Sequence, residues 1–189
     1  METTVKAKKT TNGVDLKRLT DTIRAVQENP TLGQFKFRAK NHWNDCGHNT
    51  TTIKGFYGAG QEDESRHTPF ILDNDEPDVL LGTDSAPNPV EYILHALAGC
   101  LTTSLVYHGA ARGIHIESVE STYEGILDLQ GFLGINENVR KGYQKINIQF
   151  DIKGNMSENE KRELLALGQQ YSPVFDVITR PVDVEVTLQ

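Results

Sequence analysis

Cys100 is the side chain in this sequence that is best suited to covalent chemistry. A thiolate can attack an electrophile or be oxidised, and the preceding Gly99 has no side chain that would keep a ligand away. The helix around Cys100 would not activate it, because a helix dipole acts mainly within the first turn and Cys100 lies about three turns in. A reactive thiolate therefore needs a cation or a hydrogen-bond donor from another element; otherwise Cys100 is an inert core thiol.

Two other stretches contain chemically useful side chains. Ser172 could be a hydrolytic nucleophile, but neither a base nor a G-x-S-x-G pattern accompanies it. The simpler interpretation is that Ser172 caps a helix whose first residue is Pro173. His42, Cys46 and His48 form a His-x3-Cys-x-His cluster of zinc or copper ligand types, although such short clusters often arise by chance. We therefore predict neither a metal site nor a cofactor.

The composition excludes several functional classes. The chain has 189 residues and a formal charge of −7, which argues against binding to nucleic acid. It starts without the pattern of a signal peptide and shows no obvious membrane-spanning run, so we expect a cytoplasmic protein that does not bind membranes. The two cysteines lack a C-x-x-C pattern, and in a reducing compartment a bond between them would be redox-active rather than structural.

Hydrophobic periodicity predicts the elements that must position these residues. A long apolar helix over residues 88–112 contains Cys100; Asn88 and Pro89 suit its start, and Gly113 suits its end. The other predicted elements are an amphipathic helix over 15–28, a hairpin of strands 34–41 and 50–57 with residues 42–49 at its tip, strands 69–72, 116–129, 145–151 and 182–188, and helices 157–170 and 174–179. Residues 1–14 are expected to be frayed. This order predicts an α+β fold with antiparallel sheets.

Two motifs in the right order resemble the OsmC/Ohr family, which comprises osmotically inducible protein C and the organic hydroperoxide resistance proteins. Residues 88–92 (Asn-Pro-Val-Glu-Tyr) and 96–100 (Ala-Leu-Ala-Gly-Cys) are similar to the family's N-P-E-E/Q…A-x-x-x-C helix. Residues 171–175 (Tyr-Ser-Pro-Val-Phe) are similar to the C-P-V or C-S-V motif that contains the second cysteine of the family. The resemblance covers residues 34–189, which we interpret as one OsmC-like domain that follows an N-terminal extension over residues 1–33.

The resemblance implies an intertwined homodimer, with antiparallel sheets around long central helices and two sites at the subunit interface. It also implies that Cys100 attacks the O–O bond of an organic hydroperoxide and becomes a sulfenic acid. A second cysteine then forms a disulfide with it, which a dithiol partner reduces. In the family, an Arg on the first hairpin and a Glu after the helix-opening Pro hold the thiolate ready. Phe70, Leu97 and Phe175 are candidates for an apolar substrate pocket.

The sequence departs from the family pattern at each supporting position. Ser172 replaces the second cysteine, and a hydroxyl cannot form a disulfide. Val90 occupies the position of the Glu, and Glu91 follows one residue later, about 100° around the helix. Arg38 is the Arg nearest to the hairpin tip, but it lies on the predicted strand. The two-cysteine cycle therefore cannot run here in its usual form.

Cys46 suggests one compensation, because it lies on the hairpin that delivers a side chain toward the first cysteine in the family. We hypothesise that Cys46 is a relocated resolving thiol and that His42 or His48 supplies a positive charge. A disulfide would require the Cα atoms of Cys46 and Cys100 to come within about 7 Å. Two functions stay open: a thiol-dependent peroxidase that uses Cys46 or an external thiol, and a non-catalytic OsmC-like protein that binds a small apolar molecule.

Overall fold

The computed structural model describes residues 10–188. The α-helices in this part are α1 (Leu16–Glu28), α2 (Pro89–Ala111), α3 (Leu129–Phe132), α4 (Glu158–Tyr171) and α5 (Pro173–Thr179). The strands are β1 (Thr10–Thr11), β2 (Val14–Asp15), β3 (Lys36–Phe37), β4 (Lys40–Asp45), β5 (His48–Ile53), β6 (Phe56–Gly58), β7 (Gln61–Asp63), β8 (Phe70–Asn74), β9 (Ser118–Ile126) and β10 (Lys145–Lys153). Every pairing among these strands is antiparallel, which confirms the predicted α+β class.

The described chain forms two compact units, one of residues 17–92 and one of residues 93–188 together with residues 10–16. The units meet at residues 16/17 and 92/93, and not at residues 33/34, where the sequence predicted the boundary of an N-terminal extension. The division into an extension and an OsmC-like domain stays a prediction. The amphipathic helix predicted for the N-terminal segment is present as α1, and it contains no buried residue.

A small hairpin precedes α1. Residues 1–9 of the stretch expected to be frayed lie outside the described residues, but for residues 10–14 the expectation was wrong, because β1 pairs with β2. Asn12 and Gly13 turn the chain with φ angles of 53° and 77°, in the left-handed region that Asn and Gly tolerate best. The Asn12 amide donates to the carbonyl of Ile114 and accepts from the N–H of Ile116, each at 2.9 Å. These long-range bonds hold the hairpin.

The core of the unit that contains Cys100 is formed by α2, α4 and β10. Leu105, Ile152 and Leu164 are each at most 4% exposed and form one cluster. β9 and β10 pair over nine residues, and Val119, Ser121 and Tyr123 share one face as predicted. The prediction that this strand continues to residue 129 was wrong, because β9 ends at Ile126 and Leu129 begins α3. Gly168 on α4 lets that helix approach α2 closely, since a Cβ atom there would lie 3.3 Å from the carbonyl oxygen of Leu101.

Helix α2 begins and ends where its sequence predicts. The backbone N–H of Asn88 donates to the Glu91 carboxylate and the N–H of Glu91 donates to the Asn88 side chain, both at 2.9 Å, which satisfies free donors of the first turn. Gly113 has a φ of 75°, and the N–H of Ile114 donates to the carbonyl of Gly109. Despite our expectation of no membrane-spanning run, α2 is long and apolar enough for one; core helices of soluble proteins share these properties.

The unit of residues 17–92 contains two three-stranded sheets, with strand orders β3-β6-β7 and β4-β5-β8. The predicted hairpin is present, but its tip is much shorter than residues 42–49. His42 pairs with Thr50 and His48 pairs with Asp45, so only Cys46 and Gly47 remain in the turn. Cys46 adopts a φ of 45°, which allows the strands to continue almost to the tip.

The single half-buried strand predicted over residues 34–41 was wrong. Residues 36–37 pair with β6 in one sheet, whereas β4 belongs to the other sheet. Phe35 and Phe37 are 49% and 72% exposed rather than inward-facing, although their rings stack with each other at 5.9 Å. The alternation of apolar and charged residues correctly indicated strand structure in this region. It did not show with which neighbouring strand each segment would form its backbone hydrogen bonds.

The final strand predicted over residues 182–188 is also absent from the described chain, where residues 181–188 have no regular secondary structure and are exposed. Val184 and Val186 are 80% and 90% exposed. A strand needs a neighbouring backbone to pair with, and none of the described residues provides one for this segment.

Candidate functional site

Cys100 lies half-buried in the middle of α2, one turn before the residue that contacts the junction of α4 and α5. Leu97 and Ser104 are one helical turn before and after it, and both are buried. The Ser104 hydroxyl donates to the carbonyl oxygen of Tyr171 at 3.2 Å. Because Ser172 follows Tyr171 directly, this bond brings the segments of the two sequence motifs together.

Ser172 is 2% exposed and caps α5, as its sequence context predicted. Its Oγ accepts a hydrogen bond from the backbone N–H of Phe175 at 3.2 Å. On the other side of the junction, the rings of His108 and Tyr171 stack with centroids 4.0 Å apart. Burial, and secondarily the charge of Arg112, lower the pKa of His108, so this imidazole is neutral at pH 7 and provides no cation for a thiolate.

Two apolar cavities lie along β10 next to the Cys100 helix. One of about 240 Å³ is lined by Leu101, Leu105 and Phe150 among others. The other, of about 450 Å³, contains Ile93 and Leu97 in its wall, and Phe175 lines both. Leu97 and Phe175, two of the three residues predicted for an apolar pocket, therefore line one cavity, within the size range of small-molecule sites. Phe70 belongs to the other unit, where the Arg66 guanidinium lies over its ring.

The stretch that contains Cys100 and Ser172 matches a known family of proteins. A family model described as OsmC-like protein matches residues 82–187, which is more than half of the chain. The chain belongs to the OsmC-like family. The match includes α2 and both cavities, whereas the hairpin with Cys46 lies before its first residue.

Solved structures show that the fold is shared as well. An organic hydroperoxide resistance protein OsmC from Legionella pneumophila is 23% identical, with a TM-score of 0.55 over 79% of this chain and 93% of that chain. An OsmC-like protein from Mycoplasma pneumoniae is 18% identical, with a TM-score of 0.58 over 77% and 89%. A Vibrio cholerae protein described as an organic hydroperoxide resistance protein, with captopril bound in one of its active sites, is 15% identical, with a TM-score of 0.50 over 78% and 87%. No curated protein sequence matched significantly.

Glu91 and Arg38, the residues considered for activating the thiol in this OsmC-like chain, each have another partner. The Glu91 carboxylate belongs to the capping box at the start of α2, nine residues before Cys100 and hence about half a turn away around the helix. Arg38 makes two parallel hydrogen bonds to the Glu62 carboxylate, at 2.7 and 2.9 Å. Those bonds lower the pKa of Glu62 and form a bidentate pair.

Cys46, at the hairpin tip, is exposed. Its thiol donates to the carbonyl oxygen of Leu81 at 3.1 Å, and its own carbonyl accepts from the Trp43 indole at 3.0 Å. Gly47 packs on Glu76, whose Cγ would lie 2.8 Å from a Cβ at position 47. The tip is therefore held against the loop that follows β8.

The arrangement of this hairpin does not form a metal site. Among residues 10–188 no group of three or more His, Cys, Asp or Glu side chains is placed to hold a metal ion. The shortened tip explains this, because His42 lies in β4 and His48 in β5, while Cys46 alone lies in the turn. His48 instead lies 3.7 Å from the Asp73 carboxylate.

Asp75 organises the loop under the hairpin tip, and the sequence analysis missed it. It is 2% exposed and accepts five hydrogen bonds, from the N–H groups of Glu76, Thr83 and Ser85 and from the hydroxyls of Thr83 and Ser85. These donors, the Thr83 hydroxyl first, hold the pKa of Asp75 far below its ordinary range. Thr83 and Ser85, eight and ten residues after Asp75, were the available signal, but nothing in their spacing indicated that they converge on one carboxylate.

Proposed function

We propose that the protein is an OsmC-type thiol peroxidase that reduces organic hydroperoxides through Cys100. The observation that carries the proposal is the position of this thiol: it is half-buried on the helix that matches the family, between Leu97 and Leu101, which line the apolar cavities, and one turn before Ser104, which contacts the α4–α5 junction. The hydroperoxide resistance proteins among its structural relatives support the same chemistry. An apolar peroxide would be favoured over hydrogen peroxide, since Leu97 and Phe175 line the cavity.

The reaction is a two-electron reduction of the peroxide. The Cys100 thiolate attacks one oxygen of the O–O bond, the S–O bond forms as the O–O bond breaks, and the leaving alkoxide takes a proton to become an alcohol. Cys100 is then a sulfenic acid. A second thiol attacks its sulfur and releases water, which gives a disulfide, and a dithiol reduces this disulfide by exchange.

The second thiol is the step in which this chain differs from its family. Ser172 has a hydroxyl that cannot form a disulfide and that already caps α5. The exposed Cys46 is one source of the thiol, and an external small thiol is the other. Arg38 and Glu91 would support the thiolate only after leaving their present partners.

We also propose a cytoplasmic homodimer with α2 at its centre. The small residues Ala96, Gly99 and Thr103 form an exposed face of this apolar helix. Apart from its chain neighbours and the backbone of α2, no atom of residues 10–188 would lie within 4 Å of a Cβ at Gly99. Small residues let helix backbones approach each other closely. The exposed Phe37 and Val184 would likewise be covered by a second copy.

Turnover of cumene hydroperoxide with dithiothreitol tests the proposed chemistry. The wild-type protein should consume the peroxide, and Cys100→Ser should lower the rate by more than about 1,000-fold because a serine hydroxyl is not oxidised. Cys46→Ser is the matched control. If Cys46 resolves the sulfenic acid, Cys46→Ser should complete the first turnover but lose multiple turnover. If dithiothreitol resolves the sulfenic acid, the variant should retain both the first turnover and multiple turnover. Equal peroxide consumption by wild-type and Cys100→Ser protein would contradict the proposal.

The second candidate is a non-catalytic OsmC-like protein that binds a small apolar molecule. The partners of Ser172, Glu91 and Arg38 favour it, because each of these groups is engaged elsewhere than at a thiolate. Treatment with one equivalent of cumene hydroperoxide, followed by intact mass spectrometry, separates the candidates. A peroxidase gains one oxygen atom or loses two hydrogens within seconds, whereas a binding protein keeps its mass.

A further inference from the structure

The connection between β9 and β10, which we call the β9–β10 loop (residues 127–144), exposes three bulky apolar side chains. Phe132, Leu133 and Ile135 are 63%, 55% and 69% exposed. None of the three lines either of the two apolar cavities beside α2. Several large apolar side chains exposed close together in one loop are typical of an interaction site, whereas single exposed ones are ordinary surface residues. These three residues, the apolar tip, therefore indicate a contact surface separate from the site at Cys100.

Hydrogen bonds within the loop hold the backbone beneath the apolar tip. The Asp128 carboxylate caps α3 by accepting from the N–H of Gln130 at 2.9 Å, and the carbonyl of Gln130 accepts from the N–H of Ile135 at 2.9 Å. Gly131 is buried, and a Cβ atom there would lie 2.4 Å from the carbonyl oxygen of Arg140, so the outgoing and returning arms of the loop touch. Because the loop is already ordered, binding through the tip would cost little conformational entropy.

Basic side chains accompany the apolar tip on the returning arm of the loop and at the start of β10. They are Arg140, Lys141 and Lys145, all exposed. None of them forms an ion pair within the described part of the chain, although the whole chain has a formal charge of −7. Asp128 and Glu137 are the acidic residues of the same stretch, so residues 127–145 have a net charge of +1. The overall composition, from which we expected no membrane binding, therefore does not describe this loop.

We propose that the apolar tip inserts into the surface of a membrane that contains anionic lipids. Phe132, Leu133 and Ile135 would lie at the boundary between the headgroups and the acyl chains, where burial of their apolar surface supplies the affinity. Arg140 and Lys141 would lie at the level of the lipid phosphates and supply the preference for anionic lipids.

The position of the loop favours a membrane over a peptide as the partner. The loop lies beyond the end of the β9–β10 pairing, where Ile126 pairs with Lys145. Side chains at the end of a hairpin can enter a fluid surface that adapts to them, whereas a helical or extended peptide is bound in a groove or along a strand edge. A neutral membrane would bury the apolar tip but leave the cations without partners, and a soluble anion would contact the cations alone. The combination therefore favours an anionic bilayer, and it does not depend on whether Cys100 reacts.

Cosedimentation of the full-length protein with vesicles tests the proposal. Vesicles of mixed phosphatidylcholine and phosphatidylglycerol are the anionic probe, and vesicles of phosphatidylcholine alone are the neutral one. Wild-type protein should bind the anionic vesicles at least about tenfold more tightly than the neutral ones. Phe132→Ser combined with Leu133→Ser should weaken binding to the anionic vesicles at least about tenfold, because less apolar surface is buried. Arg140→Gln combined with Lys141→Gln should reduce the preference for anionic vesicles to less than about threefold.

Leu81→Ser is the matched control for the apolar tip. Leu81 is 81% exposed and also lies in a loop, but between Asp78 and Asp84, whose carboxylates an anionic surface repels. This variant should leave both affinities within about twofold of the wild-type values. Equal melting temperatures of the variants and the wild type would show that the exposed substitutions preserve the fold.

The assignment fails if the wild-type protein does not bind the anionic vesicles, or if Leu81→Ser and the variant of the apolar tip lose equal affinity, which would indicate non-specific adsorption. It also fails if light scattering shows a smaller oligomer for the tip variant than for the wild type, because a second copy would then cover the tip. An unchanged lipid preference after the Arg140→Gln and Lys141→Gln substitutions would likewise contradict it. The peroxidase assay uses no lipid, so the vesicle experiment and the proposed chemistry of Cys100 can each fail without the other.

Discussion

The two cysteines have opposite surroundings, although each has a glycine as its neighbour. Cys46 lies in a tight turn with left-handed backbone, its thiol is hydrogen-bonded, and Gly47 packs against Glu76. Cys100 lies in a regular helix beside apolar cavities, and Gly99 faces open space within the chain. Cys46, which lies outside the family match, is thus held by polar contacts, whereas Cys100, which lies inside the match, is on an apolar helix next to apolar cavities.

This difference indicates which thiol has room to change its contacts. The Cys46 turn depends on the loop around Asp75, whose hydrogen bonds are satisfied within its own unit. The face of α2 at Gly99 is incomplete, because an exposed apolar helix normally packs against something. We therefore expect changes near Cys46 to affect the stability of the unit of residues 17–92, and changes near Cys100 to affect association and chemistry.

Asp75→Asn should have the largest effect on stability and would show whether the Cys46 turn depends on the loop. An amide has one acceptor oxygen in place of a carboxylate that accepts five hydrogen bonds, so we expect the melting temperature to fall by at least about 5 °C. Because folding lowers the pKa of Asp75, its contribution is complete above the ordinary pKa of about 3.9 and is lost as the pH falls below it. Thermal melts between pH 3 and 7 measure both effects.

The matched control for this change is Asp84→Asn in the same loop. Asp84 has a φ of 54°, which Asn tolerates. Asp84→Asn should therefore change the melting temperature of the wild-type protein by no more than about 1 °C. If both variants lost the same stability, general charge in the loop rather than the convergence on Asp75 would be responsible.

Gly99→Leu tests the open face of α2. A Cβ at this position would have no described atom within 4 Å apart from its chain neighbours and the backbone of α2, so a monomer should keep or gain stability through better helix propensity. In a dimer packed through this face, the added volume should raise the dissociation constant at least about tenfold. Sedimentation of wild-type protein, Gly99→Leu and the smaller Gly99→Ala over a concentration series measures this. An unchanged dimer in the Leu variant would place the interface elsewhere.

Glu76→Gln should have a smaller effect, of opposite sign to that of Asp75→Asn. Burial, and then the charges of Asp75 and Glu91, raise the pKa of Glu76, so its ionised form disfavours the folded state. The cost is present at neutral pH and disappears as the pH falls through the raised pKa. Glu76→Gln should therefore raise the melting temperature by roughly 2 °C at pH 7 and by less near pH 4. A larger gain at low pH would refute this sign.

The elements that were predicted correctly are those that depend on residues close together in the sequence. The capping box of Ser157 and Glu160 and the bounds of α2 follow from residues within a few positions of each other. The failures required a distant partner. Asn12 is held by residues 102 and 104 positions away, and the exposed segment 181–188 has no partner strand in the described chain.

The same limit applies to the candidate site. Cys100 and Ser172 could be selected by residue type and by resemblance, but the bond from Ser104 to Tyr171 that brings their segments together spans 67 positions. Cys46 illustrates the opposite case: its residue type suggested chemistry, whereas the two-residue turn and the contact with Leu81 depend on strand register and on the loop beyond β8. The hydrophobic periodicity of a segment indicates which face of a helix or strand a residue lies on, but not which distant residues that face will contact.

Ser172→Cys should change the stability about as little as Glu76→Gln does, and it is the most direct test of the contrast between the two thiols. A thiol is a weaker acceptor than the hydroxyl that caps α5, so we expect a loss of about 1 kcal/mol in the free energy of unfolding, similar to Ser172→Ala. If the α4–α5 junction is close enough to Cys100 for a disulfide, hydroperoxide should convert the new thiol and Cys100 into one. Turnover in the Cys46→Ser background should then no longer require an external thiol to resolve the sulfenic acid, although it would still need a reductant. Peptide mapping of the oxidised variant detects the bond. If Ser172→Cys protein that retains Cys46 formed a disulfide between Cys46 and Cys100 instead, the hairpin thiol would reach the helix first.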